Sequence, residues 1–254
     1  MLANSHPVNN TDCVILAGGL GTRLRGIISD RNKVASTIKD KPFICHLLDR
    51  LDYFGFERIV ICSGFKANDL RSRLNQFKGH LKLIFSKEPA PLGTAGAIRH
   101  ALPLLTQETV LVLNGDSYCD VDIDQLIACH RDTKAAATLT AVWVSDVGAY
   151  GSLQIEADGT ILTFNEKKSA GRPGHINAGV YVFQTALLET IPGGMVSLEQ
   201  DMFPRWVEKG LHAVRHQGLF FDIGTPSSYA KAQVICASIA ENGKFNDTCN
   251  GKHH

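Results

Sequence analysis

Residues Cys13 to Arg25, CVILAGGLGTRLR, place three glycines, a hydroxyl and two guanidinium groups at the end of a short apolar run. Gly18 and Gly19 stop that run and Gly21 follows them, before Thr22, Arg23 and Arg25. Glycine admits positive φ and lets backbone N–H groups approach a ligand without a Cβ in the way. A strand-end turn that carries such donors and fixed cations suits a phosphate chain. The plainer reading is a turn with surface arginines. Two common phosphate motifs are excluded by spacing. No Gly-Lys-Ser/Thr follows at Walker A spacing, and Leu24 stands where a dinucleotide fingerprint needs its third small residue.

Two carboxylates stand at comparable strand ends. Thr109–Leu113 is strongly apolar and runs into Asn114-Gly115-Asp116. A carboxylate there lies at the usual ligand crevice of a parallel sheet, and as a hard oxygen donor it suits magnesium. Its alternative role is to cap the next turn. Asp222 sits in the apolar run Phe220-Phe221-Asp222-Ile223, where an unpartnered charge is costly, so a cation partner is expected. Asp120, Asp122 and Asp124 read as turn and capping carboxylates, because a calcium loop's glycine and distal glutamate are missing. Leu92-Gly93-Thr94-Ala95-Gly96 leads from a proline-stiffened loop into a helix whose first amides could face a ligand. Ser197 with Gln200 has the form of a capping box, and Glu199 reads as capping or solvated surface.

The elements that must position these residues alternate. Cys13–Ala17 reads as a buried parallel strand. Phe43–Phe54 carries Phe43, Leu47, Leu48, Leu51 and Phe54 as a helical stripe ended by Gly55. Strands are expected over Arg58–Cys62 and Leu81–Phe85, with a helix over Ala67–Phe77 between them. A helix over Ala95–Leu105 follows. Asp124–Arg131 reads as a helix and Ala136–Val144 as a β-rich run. Ser152–Glu156 and Ile161–Glu166 flank an Asp158-Gly159 hairpin turn. His175–Phe183 and Leu211–Arg215 are later strands, and Ser227–Ala240 is a closing helix. This order predicts an α/β, doubly wound, mostly parallel sheet.

Bulk properties narrow the function. The chain has 254 residues, 44% of them hydrophobic, and a formal net charge of +1. That length fits one large domain, expected over residues 12–240, with 241–254 a disordered tail or a cloning remnant. The near-neutral charge gives no electrostatic case for nucleic acid. No apolar run reaches the length of a membrane span, and the polar first residues lack a signal-peptide core, so a cytoplasmic location is expected. Seven cysteines without a CxxC pair read as free thiols.

Taken in order, GGLGTRLR, Lys33, LGTAG, NGD, Glu166-Lys167, Asn177-Ala178-Gly179 and DIGTP resemble the sugar-1-phosphate nucleotidylyltransferases over Asp12 to Gln233. The resemblance implies a Rossmann-like core with a small inserted sugar-binding β part and no appended β-helix domain. It implies nucleoside triphosphate and sugar 1-phosphate as substrates and Mg2+ as cofactor. Arg23 and Lys33 would be catalytic. Leu16, Ala17, Gly18, Gly19, Gly21, Thr22, Pro91, Gly93 and Thr94 would bind nucleotide. Asn114, Gly151, Glu166, Lys167, Asn177, Ala178 and Gly179 would bind the sugar phosphate, and Asp116 and Asp222 the metal. Without the resemblance, Lys167 and Lys168 read as solvated surface. The short form with SDRNKVASTIK, KPF and LGTAGAI looks most like guanylyltransferases acting on a heptose 1-phosphate, with a uridylyl-, thymidylyl- or cytidylyltransferase acting on a hexose or N-acetylmuramic acid 1-phosphate as the alternative. The family flanks its lysine with prolines, whereas Asn32 and Val34 stand here. That difference predicts a looser lysine loop, and it admits a non-catalytic nucleotide-sugar-binding regulator as a reading of another class. A homo-oligomer is left open.

Overall fold

The computed structural model describes residues 7–19, 21, 24, 31–75, 77–148, 150–166 and 171–241, with backbone only at 7, 166 and 238–241. Strand β1 (Thr11–Leu16) is followed by the small β2 (Thr37–Ile38) and β3 (Lys41–Pro42), then α1 (Phe43–Tyr53) and β4 (Arg58–Ser63). Next come α2 (Ala67–Leu74), β5 (Lys82–Lys87), α3 (Gly93–Ala101), β6 (Thr109–Asn114), β7 (Ser117–Cys119) and α4 (Ile123–Thr133). The second half holds β8 (Ala137–Val144), β9 (Gly151–Ile155), β10 (Ile161–Glu166) and the long β11 (Gly174–Gln184). It closes with α5 (Thr185–Glu189), α6 (Phe203–Trp206), β12 (Leu211–His216), β13 (Phe220–Asp222) and α7 (Pro226–Glu241).

The main sheet runs β10-β9-β11-β6-β1-β4-β5, with β8 on the other edge of β11 and β12 beyond it. Strands β6, β1, β4 and β5 are mutually parallel. Strand β11 enters antiparallel to β6. Alternation along the parallel strands divides the core into two layers. Cys13, Ile15, Ile59, Ile61, Leu111 and Leu113 face one side, with α1, α2, α4 and α7. Val14, Val60, Cys62, Val110 and Val112 face the other, with α3, α5 and α6. Each fully buried aliphatic side chain contributes about 1.5–3 kcal/mol over exposure, so both faces of the sheet require cover. This is the doubly wound α/β arrangement read from the sequence.

Strand β11 forks. Its second half pairs with β6, its first half with β9, and both halves pair with β8 across an irregularity between Asn177 and Tyr181. The fork therefore opens at Asn177-Ala178-Gly179. A second device is the three-residue pair β7–β13, which sets Asp222 opposite Ser117. Arg50 of α1 is buried and donates to the carbonyls of Cys119 and Val121, while its guanidinium lies over the Tyr118 ring, fixing the end of β7 from below.

The ends of two helices move by several residues. Helix α3 begins at Gly93 and gives way to a 3-10 turn over Leu102–Leu104, where Pro103 has no N–H to continue the ladder. Helix α2 ends at Leu74. Asp122 caps α4 by accepting from Gln125 N at 3.0 Å, as expected, but Asp120 is no turn carboxylate: it pairs with His216. Among the described residues every cysteine is free, and all but Cys129 are buried. Burial pushes the Cys119 thiol up to about 12, out of the reactive range.

Candidate active site

Two cavities adjoin at the carboxyl ends of the parallel strands. One, of about 490 Å³, is lined by Leu16, Ala17, Gly18, Gly19, Gly21, Pro91, Gly93 and Thr94. The other, of about 400 Å³, is lined by Gly151, Asn177, Ala178, Gly179, Tyr150 and Asp222. Gly21, Lys33, Asn114, Asp116 and Glu199 border both. The residues expected to hold nucleotide thus share one cavity, and those expected to hold sugar phosphate share its neighbour. Thr22, Arg23 and Lys167 lie outside the described residues, as does the side chain of Glu166; the Glu166 backbone pairs with Gly151.

The first cavity is built mainly from backbone. Gly115 N donates to Leu16 O at 2.9 Å, and a Cβ at Gly115 would stand 2.6 Å from that oxygen. This contact brings the turn after β6 against the turn after β1. A Cβ on Gly18 would meet Glu88 Oε1 at 2.0 Å, so glycine at 18 is what leaves room for a carboxylate beneath the loop. Glu88 is buried, its Oε2 accepts from Leu92 N at 3.1 Å, and its Oε1 has no hydrogen-bond partner among the described residues. Burial lifts this carboxyl above the usual glutamate range, offset in part by Leu92 N–H. Sequence reasoning passed over Glu88. Its signal was a charged residue placed directly between a strand and the Pro89–Pro91 loop.

Two of the first amides of α3 are taken up within the protein, while Gly93 and Thr94 line the first cavity. Ala95 N and Gly96 N donate to Val196 O at 3.0 and 3.2 Å. Thr94 Oγ1 donates to Glu199 Oε2 at 2.8 Å and accepts from Leu198 N at 2.7 Å. The capping box is also rearranged: Ser197 Oγ accepts from Gln200 N at 3.1 Å, and Asp201, not Gln200, accepts from Ser197 N at 2.8 Å. Glu199 is more than surface or cap, because it stands on the border between the cavities.

Lys33 and Asp116 form an ion pair on that border. The looser lysine loop expected from the missing prolines is replaced by a tied one. Asn32 is fully buried; its Nδ2 donates to Ala17 O at 3.0 Å and Phe65 O at 2.8 Å, and its Oδ1 accepts from Val34 N at 3.1 Å. The last bond caps the 3-10 turn Lys33–Ala35. Three side-chain bonds thus anchor what a fixed φ would otherwise stiffen.

Ile223 N donates to Asp116 O at 2.9 Å, which with the β7–β13 pairing sets Asp222 beside Asp116. The carboxylate of Asp222 is oriented by donors from three neighbouring residues. It accepts from Tyr150 OH at 2.7 Å, Ser228 Oγ at 2.8 Å and Gly224 N at 2.6 Å. Burial and this carboxylate together hold the Tyr150 hydroxyl protonated. No cluster of three or more His, Cys, Asp or Glu that could cage a metal exists among the described residues. Two carboxylates nevertheless fit magnesium, which keeps most of its shell for water and substrate phosphate. The Lys33 ammonium shows that Asp116 already attracts a cation at this place.

The second cavity is built from side chains. Tyr181 OH, fully buried, accepts from Asn177 Nδ2 at 2.7 Å and Asn114 Nδ2 at 3.4 Å, while Asn177 Oδ1 accepts from Gly179 N at 3.0 Å. Gly179 has φ 75°, and a Cβ there would lie 2.7 Å from Ser117 Oγ.

The chain belongs to the nucleotidyl transferase family, whose sequence profile matches residues 12–238. Among its relatives, the D-glycero-alpha-D-manno-heptose 1-phosphate guanylyltransferase of Aneurinibacillus thermoaerophilus is 32% identical over 225 residues, 87% of this chain and 96% of that protein. The mannose-1-phosphate guanylyltransferase catalytic subunit beta of Drosophila pseudoobscura pseudoobscura is 34% identical over 91% of this chain, which spans 63% of that relative's length. The solved structure of HddC from Yersinia pseudotuberculosis superposes with TM-score 0.81 at 35% identity, covering 89% of this chain and 99% of the other. The same protein has been solved complexed with GMP-PN. Among the described residues no helix is long and apolar enough to cross a membrane.

Proposed function

We propose that this protein transfers GMP from GTP to D-glycero-α-D-manno-heptose 1-phosphate, giving the GDP-sugar and pyrophosphate. The observation that carries the reading is the pair of cavities meeting at Lys33 and Asp116. A sugar-phosphate oxygen attacks the α-phosphorus of GTP; a new P–O bond forms there as the bond to the β,γ-pyrophosphate breaks. A phosphate monoester is largely dianionic near neutral pH, its second pKa being about 6, so it needs no general base. The protein's task is to align two anions and spread the developing charge. Gly18, Gly19 and Gly21 would line the phosphates, Lys33 would meet the charge that develops, and Arg23 and Lys167 are the remaining cations assigned to the two phosphates. Asn114, Gly151, Asn177, Ala178 and Gly179 would hold the sugar phosphate together with Glu166. Asp116 and Asp222 would hold magnesium, which neutralises phosphate charge when bound.

Guanine is favoured by Glu88. The Watson–Crick edge of guanine offers two adjacent N–H donors, and an ionised carboxylate accepts both, whereas the edges of uracil and thymine mix donor and acceptor. A second reading, mannose 1-phosphate as acceptor, draws on the likeness to the mannose-1-phosphate guanylyltransferases. Pyrophosphate release with GTP, UTP, CTP and dTTP, each against heptose, mannose and other hexose 1-phosphates, tests both. GTP with the manno-configured heptose phosphate is expected to be fastest. Faster turnover with another nucleotide overturns the guanylyl assignment, and faster turnover with mannose 1-phosphate selects the second reading.

A further inference from the structure

Met195 is the most exposed large apolar side chain among the described residues, at 77%. Isolated exposed methionines need no explanation, but this one borders the nucleotide cavity, whose apolar wall includes Leu16, Ala17, Pro91 and Ala97. It sits on a strap, Pro192 to Val196, laid across the first turn of α3. Val196 N donates to Leu92 O at 2.8 Å, and Val196 O takes the amides of Ala95 and Gly96. Two glycines of the LGTAG stretch serve this contact: a Cβ on Gly93 would lie 2.4 Å from Val196 O, and one on Gly96 would lie 2.5 Å from Gly194 O. Gly194 itself has φ 98°. The backbone next to Met195 is therefore pinned to the cavity rim, while its side chain is left outside the protein core.

We propose that Met195 is a nucleotide-binding residue that covers the nucleobase of the bound triphosphate, its thioether packing on the face of the ring. This extends the guanylyl reading above and rests on it. Thioether sulfur packs favourably against aromatic rings, and an unbranched side chain can follow the base as it enters. A purine offers more ring to cover than a pyrimidine, so the strap adds affinity where Glu88 adds edge recognition. The contact is with the base alone, and the phosphates are held elsewhere.

The test is calorimetric binding of GTP, UTP and inorganic tripolyphosphate to the wild type and to Met195→Ala and Met195→Leu. Loss of the cover is expected to weaken GTP binding about tenfold in Met195→Ala, with Met195→Leu within about threefold of wild type. Tripolyphosphate, which has no base, is expected to bind all three proteins alike. Unchanged GTP affinity in Met195→Ala overturns the proposal, and so does an equal loss for tripolyphosphate, which would mean that the strap merely supports the phosphate loop. Should the wild type prefer UTP, the guanylyl reading fails, while the alanine-to-wild-type ratio for UTP still decides the role of Met195.

Discussion

The two cavities share a border but are made differently. The cavity proposed for the nucleotide is set by backbone approach: Gly115 against Leu16 O, Gly18 over Glu88, and Gly93 under Val196. The cavity proposed for the sugar phosphate is set by a side-chain relay, Asn177 and Asn114 onto Tyr181 and Tyr150 onto Asp222. Backbone walls suit triphosphate, which every nucleotide presents alike. Side-chain walls can be exchanged one at a time without moving the sheet, so the choice of sugar can change while the fold stays constant. Between them, Lys33 and Asp116 belong to both sides.

That division can be broken at several points. The largest effect is expected on the border: Asp116→Asn should lower turnover by about 10²–10³, as for loss of one electrostatic partner in a transition state, with an unchanged denaturation midpoint. Near-normal turnover would remove Asp116 from the reaction. On the nucleotide side, Glu88→Gln should shift the GTP-to-UTP ratio of kcat/KM by about a hundredfold toward UTP, since the new amide donor faces guanine donors. The KM for sugar phosphate should hold steady, and a matching rise in it would blur the two halves. On the sugar side, Tyr181→Phe leaves the Asn177 amide without its acceptor. It should raise the sugar-phosphate KM about tenfold with little change in the KM for GTP.

The smallest effect is a pH dependence. Glu88 must be ionised to accept both guanine donors, and burial raises its pKa. Guanosine binding should therefore be strongest above that raised pKa and weaken as pH falls through it, at higher pH than an ordinary glutamate would give. Glu88→Gln should flatten the profile. Uncharged guanosine is the probe because it lacks the phosphate groups that titrate near neutral pH.

What could be read beforehand follows from the range of the interactions. Alternating apolar residues and strand-end glycines are local signals, so β1, β6 and their turns were legible, and with them Gly18, Gly21 and Asp116. Resemblance then brought in Asn177 from a distant segment. Glu88 was missed because its importance comes from lying under Gly18, a contact made only when β1, β4 and β5 stand side by side. Asn32 was misjudged for the same reason: the acceptors of its amide, Ala17 O and Phe65 O, come from two other turns. The need of Asp222 for a partner was foreseen from its apolar setting. Its hydrogen-bond donors Tyr150 and Ser228 were not, because they reach it only through tertiary packing.

The central claim is that nucleotide and sugar phosphate occupy one continuous cleft. Equilibrium binding in the presence of saturating GDP-heptose tests it most directly. With the product bound, neither GTP nor heptose 1-phosphate should bind measurably, because each half of the product fills one cavity. Undiminished binding of heptose 1-phosphate to the product complex would place the sugar elsewhere and contradict the account.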